Sequence, residues 1–238
     1  MDNYKLLIGL ALGCSPLEVP ADRHDSERVE SILEAECVQR DNGSYDCGNI
    51  GFKTKDGLFV HQRSGSSIDV YIEKEGGATD ESVRITRDLT LTAITEINYW
   101  GESSDFFPEF RLREGKRPAE TLGTTIIYVC TSEEFKGIID QETDFDDGGY
   151  PISFMGNLIH PYSGAVMDGL MLISEQYLHN DDHSKEMKKN TFVHELAHNI
   201  GAGHGNVDDA KGHVMHPKGD EDNNSLEGLG FFMETLYK

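Results

Sequence analysis

The chain has 238 residues, 37% hydrophobic and 27% charged, the balance of a soluble globular protein of one good-sized domain or one domain plus a small appendage. Its 21 basic residues face 43 acidic ones, a formal charge of -22. A surface this acidic repels phosphate backbones and anionic lipid, which excludes nucleic acid as the expected partner.

The N-terminus has the pattern of an export signal. Lys5 is followed by the apolar run Leu6-Leu7-Ile8-Gly9-Leu10-Ala11-Leu12-Gly13 and then Cys14. The run is too short to span a bilayer and fits a signal h-region. Ala11-Leu12-Gly13-Cys14 resembles a bacterial lipobox, which implies that Cys14 is lipidated and becomes the mature N-terminus. Ala11 stands where that pattern usually has leucine, and Asp2 accompanies Lys5. An ordinary cleaved signal and a buried N-terminal segment therefore stand as alternatives. Elsewhere no stretch is long and apolar enough to cross a membrane, so a membrane partner is expected only through a lipid anchor. The expected location is the exterior, as a cell-envelope lipoprotein or a secreted protein.

Residues 15–66 are read as a tether or pro-like segment. Residues 15–30 are polar and contain prolines, running into a short helix to about Val38; Asp41-Asn42-Gly43 signals a turn. Short strands are expected near Ile50–Phe52 and Leu58–Val60, and Arg63-Ser64-Gly65-Ser66 reads as a linker. In an exported chain Cys37 and Cys47 are placed to close a small disulfide loop, whereas Cys130 ends an apolar run and reads as a buried free thiol.

Residues 67–238 are read as the main domain. Ile68, Val70 and Ile72 alternate with polar or amphipathic neighbours, the period-2 signature of a half-buried strand. Thr79 can cap a helix whose first turn holds Asp80 and Glu81 and whose apolar stripe is Ile85, Leu89, Ala93, Ile97 and Trp100. Phe110 and Leu112 suggest a further strand. Thr125–Cys130 is apolar on both faces, as in a central strand. Phe154–Ile159 and Leu170–Ile173 read as two more strands. A helix from about Ser184 to Ile200 and a final one from Ser225 to Tyr237 complete the chain. This order predicts an α/β fold with helices behind a mixed sheet.

Residues 194–204 read His-Glu-Leu-Ala-His-Asn-Ile-Gly-Ala-Gly-His. On a helix His194 and His198 share one face, so both imidazoles can reach one metal ion. Glu195, beside the first ligand, is placed to bond a water there rather than to coordinate. Gly201 lets the chain leave the helix in a left-handed conformation, and three residues later His204 becomes available as a third ligand. Three neutral nitrogens on Zn2+ leave a fourth position open, the catalytic rather than the structural arrangement.

The run resembles the long zinc motif of the metzincin metallopeptidases. That clan has a methionine in a tight turn beneath the metal, and Met215 of His213-Val214-Met215-His216-Pro217 fits it. The short gap and the Met-x-Pro ending are similar to matrixins, and Asn199-Ile200-Gly201 to reprolysins. Pro217 stands where astacin- and serralysin-type enzymes place a tyrosine, so no tyrosine ligand is expected. The resemblance covers about residues 67–238, and 194–217 is its specific part. It implies a twisted mixed sheet with an active-site helix, a Met-turn and a C-terminal helix. It also implies a zinc endopeptidase acting on protein or peptide substrates, with zinc-activated water and Glu195 as general base. Phe154–Ile159 would be the edge strand that pairs with extended substrate.

Weaker signals remain. Asp144, Asp146 and Asp147 lie in a glycine-containing loop that lacks the full EF-hand pattern, which favours a solvated loop; the resemblance keeps Ca2+ there as the alternative. His160, His179, His183, His213 and His216 match no second metal site and read as surface or satisfied histidines. Cys47-Gly48 echoes the cysteine that blocks zinc in matrixin propeptides, but its flanks differ, and the disulfide with Cys37 is the preferred reading. The competing function is a surface-anchored binding or adhesion protein with a non-catalytic metal site. Loss of Glu195 or of a ligand would favour it, and all four residues are present.

Overall fold

The computed structural model describes residues 28–29, 31–32, 58–62, 66–74, 76–100, 107–118, 123–142, 153–159, 163–204, 214–215 and 235–237. Among these, five strands form one sheet: β1 (Ser67–Lys74), β2 (Glu109–Leu112), β3 (Thr124–Cys130), β4 (Ser153–Ile159) and β5 (Val166–Ser174). Their order is β2-β1-β3-β5-β4. The pairs β1–β2, β1–β3 and β3–β5 are parallel, and β4 runs antiparallel along one edge of the sheet. The sheet is thus mixed and mostly parallel. β3, apolar on both faces, lies at its centre with all seven residues buried.

Among the described residues four full helices pack on this sheet: α1 (Asp80–Trp100), α2 (Ser132–Glu142), α3 (Glu175–His179) and α4 (Lys185–Asn199). Alternation along β3 divides the core. Ile127 and Val129 join the larger cluster with Leu89, Ala93 and Ile97 of α1 and Phe192, Val193 and Leu196 of α4. Ile126, Tyr128 and Cys130 point the other way, onto Phe135 of α2. Helices therefore cover both faces of the sheet, where the sequence led us to expect them behind it. The second face is built by α2, whose apolar signal is slight: Phe135 and Ile138 with Gly137 between them.

Both long helices begin at hydroxyl caps. The Thr79 Oγ1 accepts from the Ser82 amide at 3.1 Å, and the Ser184 Oγ accepts from the Met187 amide at 3.1 Å. The buried face of α1 differs in part from the expected stripe. Leu89, Ala93 and Ile97 are buried, but Ser82, Thr86 and Thr90 share that face, and Ile85 is only half-buried. A row of buried hydroxyls has no hydrophobic signature, so periodicity alone does not find it.

Residues 58–62, on the N-terminal side of the 66/67 boundary, pack into the same core as 67–238. Phe59 and Val60 are buried, His61 bridges to Ala165, and the Gln62 side chain reaches α4. Val29 joins that core as well. Thr235 and Leu236 are helical, and Leu236 and Tyr237 are buried, within the expected final helix. Cys130 is buried, its thiol 3.6 Å from the Ile173 carbonyl oxygen. Cys14, Cys37, Cys47, Asp144, Asp146 and Asp147 lie outside the described residues. No described helix is long and apolar enough to cross a membrane.

Candidate metal centre

The site is built on the C-terminal half of α4. His194 and His198, four residues apart, project from one side of the helix, and His204 returns to them after the helix has ended. The return depends on how α4 terminates. The Ala202 amide bonds to the Ala197 carbonyl at 3.0 Å and the Gly201 amide to the His198 carbonyl at 3.2 Å. This nested pair of bonds is a Schellman motif, which needs a left-handed residue after the cap. Gly201 supplies it, with φ of 100°.

The three Nε2 atoms converge. His194 and His198 are 3.1 Å apart, His194 and His204 3.1 Å, and His198 and His204 3.2 Å. Nitrogens at about 2.0–2.1 Å from a tetrahedral zinc stand roughly 3.3–3.4 Å from one another, so the triangle fits three corners of such a site. The other ring nitrogens fix the tautomers. His194 Nδ1 donates to the Val214 carbonyl at 2.8 Å, and His198 Nδ1 to the Ala202 carbonyl at 2.7 Å. A carbonyl only accepts, so in each neutral ring the proton is on Nδ1 and Nε2 presents a bare lone pair. Two such lone pairs at 3.1 Å cannot bond each other, and a cation between them removes the repulsion. Burial, then the adjoining His194 and His204 rings, push His198 well below the usual imidazole range, toward the neutral form a metal requires.

Met215 lies in a turn with Val214 and is buried. The same turn supplies the carbonyl that orients His194. Glu195, next in sequence to that histidine, is turned into the protein and buried. Its Oε1 accepts from the Ser153 Oγ at 2.6 Å. Burial pushes the carboxyl up to about 7, against the opposing effect of the Ser153 hydrogen bond.

Several residues of this constellation escape the sequence pattern. Asn157 of β4 donates from Nδ2 to the His198 carbonyl at 3.0 Å, and its Oδ1 accepts from Asn199 Nδ2 at 2.9 Å. Asn199 Oδ1 accepts from Thr125 Oγ1 at 3.1 Å and from Gln62 Nε2 at 3.0 Å. The Tyr237 hydroxyl donates to the Ile200 carbonyl at 2.8 Å and accepts from the Gln62 amide at 2.9 Å. Second-layer bonds of this kind hold metal ligands in register. They come from five separate stretches of chain, so no local spacing announces them. Gly169 of β5 is one indirect sign: a Cβ there would stand 2.2 Å from Asn199 Nδ2.

The remaining histidine readings divide. His179 bonds Ser82 Oγ at 2.8 Å, the His183 ring lies 4.9 Å from that of Tyr177, and neither joins a metal-binding group among the described residues. His160, His213 and His216 lie outside the described residues. Among the described residues the group arranged to hold a metal is His194, His198 and His204.

Fold and site together define a mixed α/β protein with a three-histidine group able to bind a metal ion. No family model and no curated protein matches the chain. Among solved structures it is similar to metalloproteinase-II from Bacteroides fragilis, with 12% identity over 90% of this chain and 71% of that one and a TM-score of 0.39. That likeness is too distant to assign a function, and the chemistry below rests on the residues of this chain.

Proposed function

We propose that the protein is a zinc-dependent endopeptidase of the metzincin type, with His194, His198 and His204 as ligands and Glu195 as general base. The observation that carries the reading is the triangle of three Nε2 atoms, two of them freed by Nδ1 protons committed to carbonyls and borne on the same helix as a buried carboxylate. Three histidines leave a position open, which favours a catalytic site over a structural one. Zinc held there would act as a Lewis acid toward a carbonyl and lower the pKa of water.

Glu195 accepts a proton from the attacking water and passes it to the leaving nitrogen. The peptide lies extended along the outer edge of β4, whose backbone groups on that side have no neighbouring strand among the described residues. Such pairing is indifferent to side chains, so selectivity would come from a pocket beside the metal. Export through the N-terminal segment, with Cys14 as a lipid anchor, belongs to the same proposal, as does the alternative of calcium in the loop of Asp144, Asp146 and Asp147.

The test is hydrolysis of a mixed peptide library by the purified chain. Cleavage is expected, abolished by a zinc chelator and restored by added Zn2+. Cleavage that survives complete removal of metal would overturn the proposal, and its absence in the zinc-loaded protein would favour the binding-protein reading.

A further inference from the structure

We infer that Ser153 is a positioning residue for Glu195: its hydroxyl occupies one carboxylate oxygen and so presents the other as the single working base. The inference rests on the peptidase reading above and deepens it.

Ser153 opens β4 and pairs with Ile173 across the sheet. It is buried, and its Oγ lies 2.6 Å from Glu195 Oε1, a short, charge-assisted bond when the carboxyl is ionised. Among the described residues this is the hydrogen bond that the carboxylate makes. Four residues along the strand, on the same face because strand side chains alternate, Asn157 grips the His198 carbonyl and Asn199. The edge strand therefore holds α4 at two points about one helical turn apart. The second point fixes the helix, through backbone and through an amide that Thr125 and Gln62 also hold. It does not restrain the Glu195 side chain, which has three rotatable bonds beyond Cα. Among the described residues it is the Ser153 hydroxyl that holds it by a hydrogen bond. A buried carboxylate without this partner would keep an unsatisfied oxygen and could turn either oxygen toward the reacting water, losing the alignment that proton transfer needs.

A further consequence is geometric. The strand that would carry the peptide on its outer edge also carries the group that aims the base. Base and substrate are thus registered by one element rather than by two that move separately.

The experiment uses the full chain loaded with Co2+ in place of zinc, in Ser153→Thr and Ser153→Val forms. The two side chains have the same shape, and only threonine keeps the hydroxyl. A visible spectrum of the cobalt protein reads the surroundings of the open position without any substrate, with Glu195→Gln as reference. Ser153→Val is expected to shift the spectrum toward that of Glu195→Gln and to lower kcat on the peptide library roughly tenfold to a hundredfold, with KM within about twofold. Ser153→Thr should restore both, and metal affinity and unfolding midpoint should agree between the pair. A Ser153→Val protein with the parent's spectrum and kcat, while Glu195→Gln has lost both, would overturn the inference and leave the peptidase reading standing. If Glu195→Gln itself keeps the parent's spectrum and rate, the peptidase reading fails and the inference with it.

Discussion

Glu195→Gln is expected to lower peptide hydrolysis about a hundredfold to ten-thousandfold, the usual range for loss of a general base. The amide keeps the size of the side chain and can still accept from Ser153 Oγ, now 2.6 Å from Oε1. It cannot take a proton from water. Metal binding should persist, because the three converging nitrogens belong to His194, His198 and His204. The fold should be at least as stable as the parent's. The carboxyl is buried, and burial already disfavours its charged form, so a neutral amide removes a desolvation penalty. Steady-state hydrolysis, zinc content and thermal unfolding measured side by side would check all three parts. A parent-like rate in a zinc-loaded Glu195→Gln protein would show that the carboxylate is not the base.

Gly201→Ala is expected to damage both stability and metal binding. A residue with φ of 100° lies where L side chains are strained, at about 1–3 kcal/mol. An added Cβ would also stand 2.1 Å from the Val60 carbonyl oxygen, a backbone atom that cannot rotate away. Together these should cost about 3–5 kcal/mol, in the range kept for special backbone positions and overpacking. The functional effect follows from the same turn. Any shift of 201–202 moves the Ala202 carbonyl that orients His198 and redirects the chain that brings back His204. Urea unfolding and competition with a zinc chelator should show the midpoint and the metal affinity falling together. Parent-like values for both would mean that the helix end tolerates rearrangement, and the turn would lose the role given to it here.

The three-histidine group of this chain was more legible in its sequence than the scaffold that supports it. Histidine spacing is a local property: four residues on a helix put His194 and His198 together, and a glycine three residues before His204 marks the return. The strands near 68–73, 110–112, 125–130, 154–159 and 170–173, the cap at Thr79 and the helix start near Ser184 also follow local rules, and each has its counterpart among the described elements. What escaped is non-local. Gln62, Thr125, Asn157 and Tyr237 gather around the end of α4 only because β4, β3, α4 and residues 58–62 pack together, and nothing in their spacing marks them. Ser153 is equally silent, a single serine at the start of a strand. Gly201 carried two messages, of which the sequence disclosed one. Its freedom to turn follows from the motif, but the close approach of the Val60 carbonyl depends on residues 58–62, which the linker-like residues 63–66 separate from the main domain in sequence.

The central claim is that His194, His198 and His204 hold a catalytic metal, and zinc analysis of the purified chain tests it most directly. After zinc repletion and removal of excess ion, the parent should carry one zinc per chain, Glu195→Gln should carry the same, and His198→Ala should lose tight binding, because two remaining imidazoles cannot close the site. A parent chain without zinc, or a His198→Ala chain that binds it as tightly as the parent, would contradict the account.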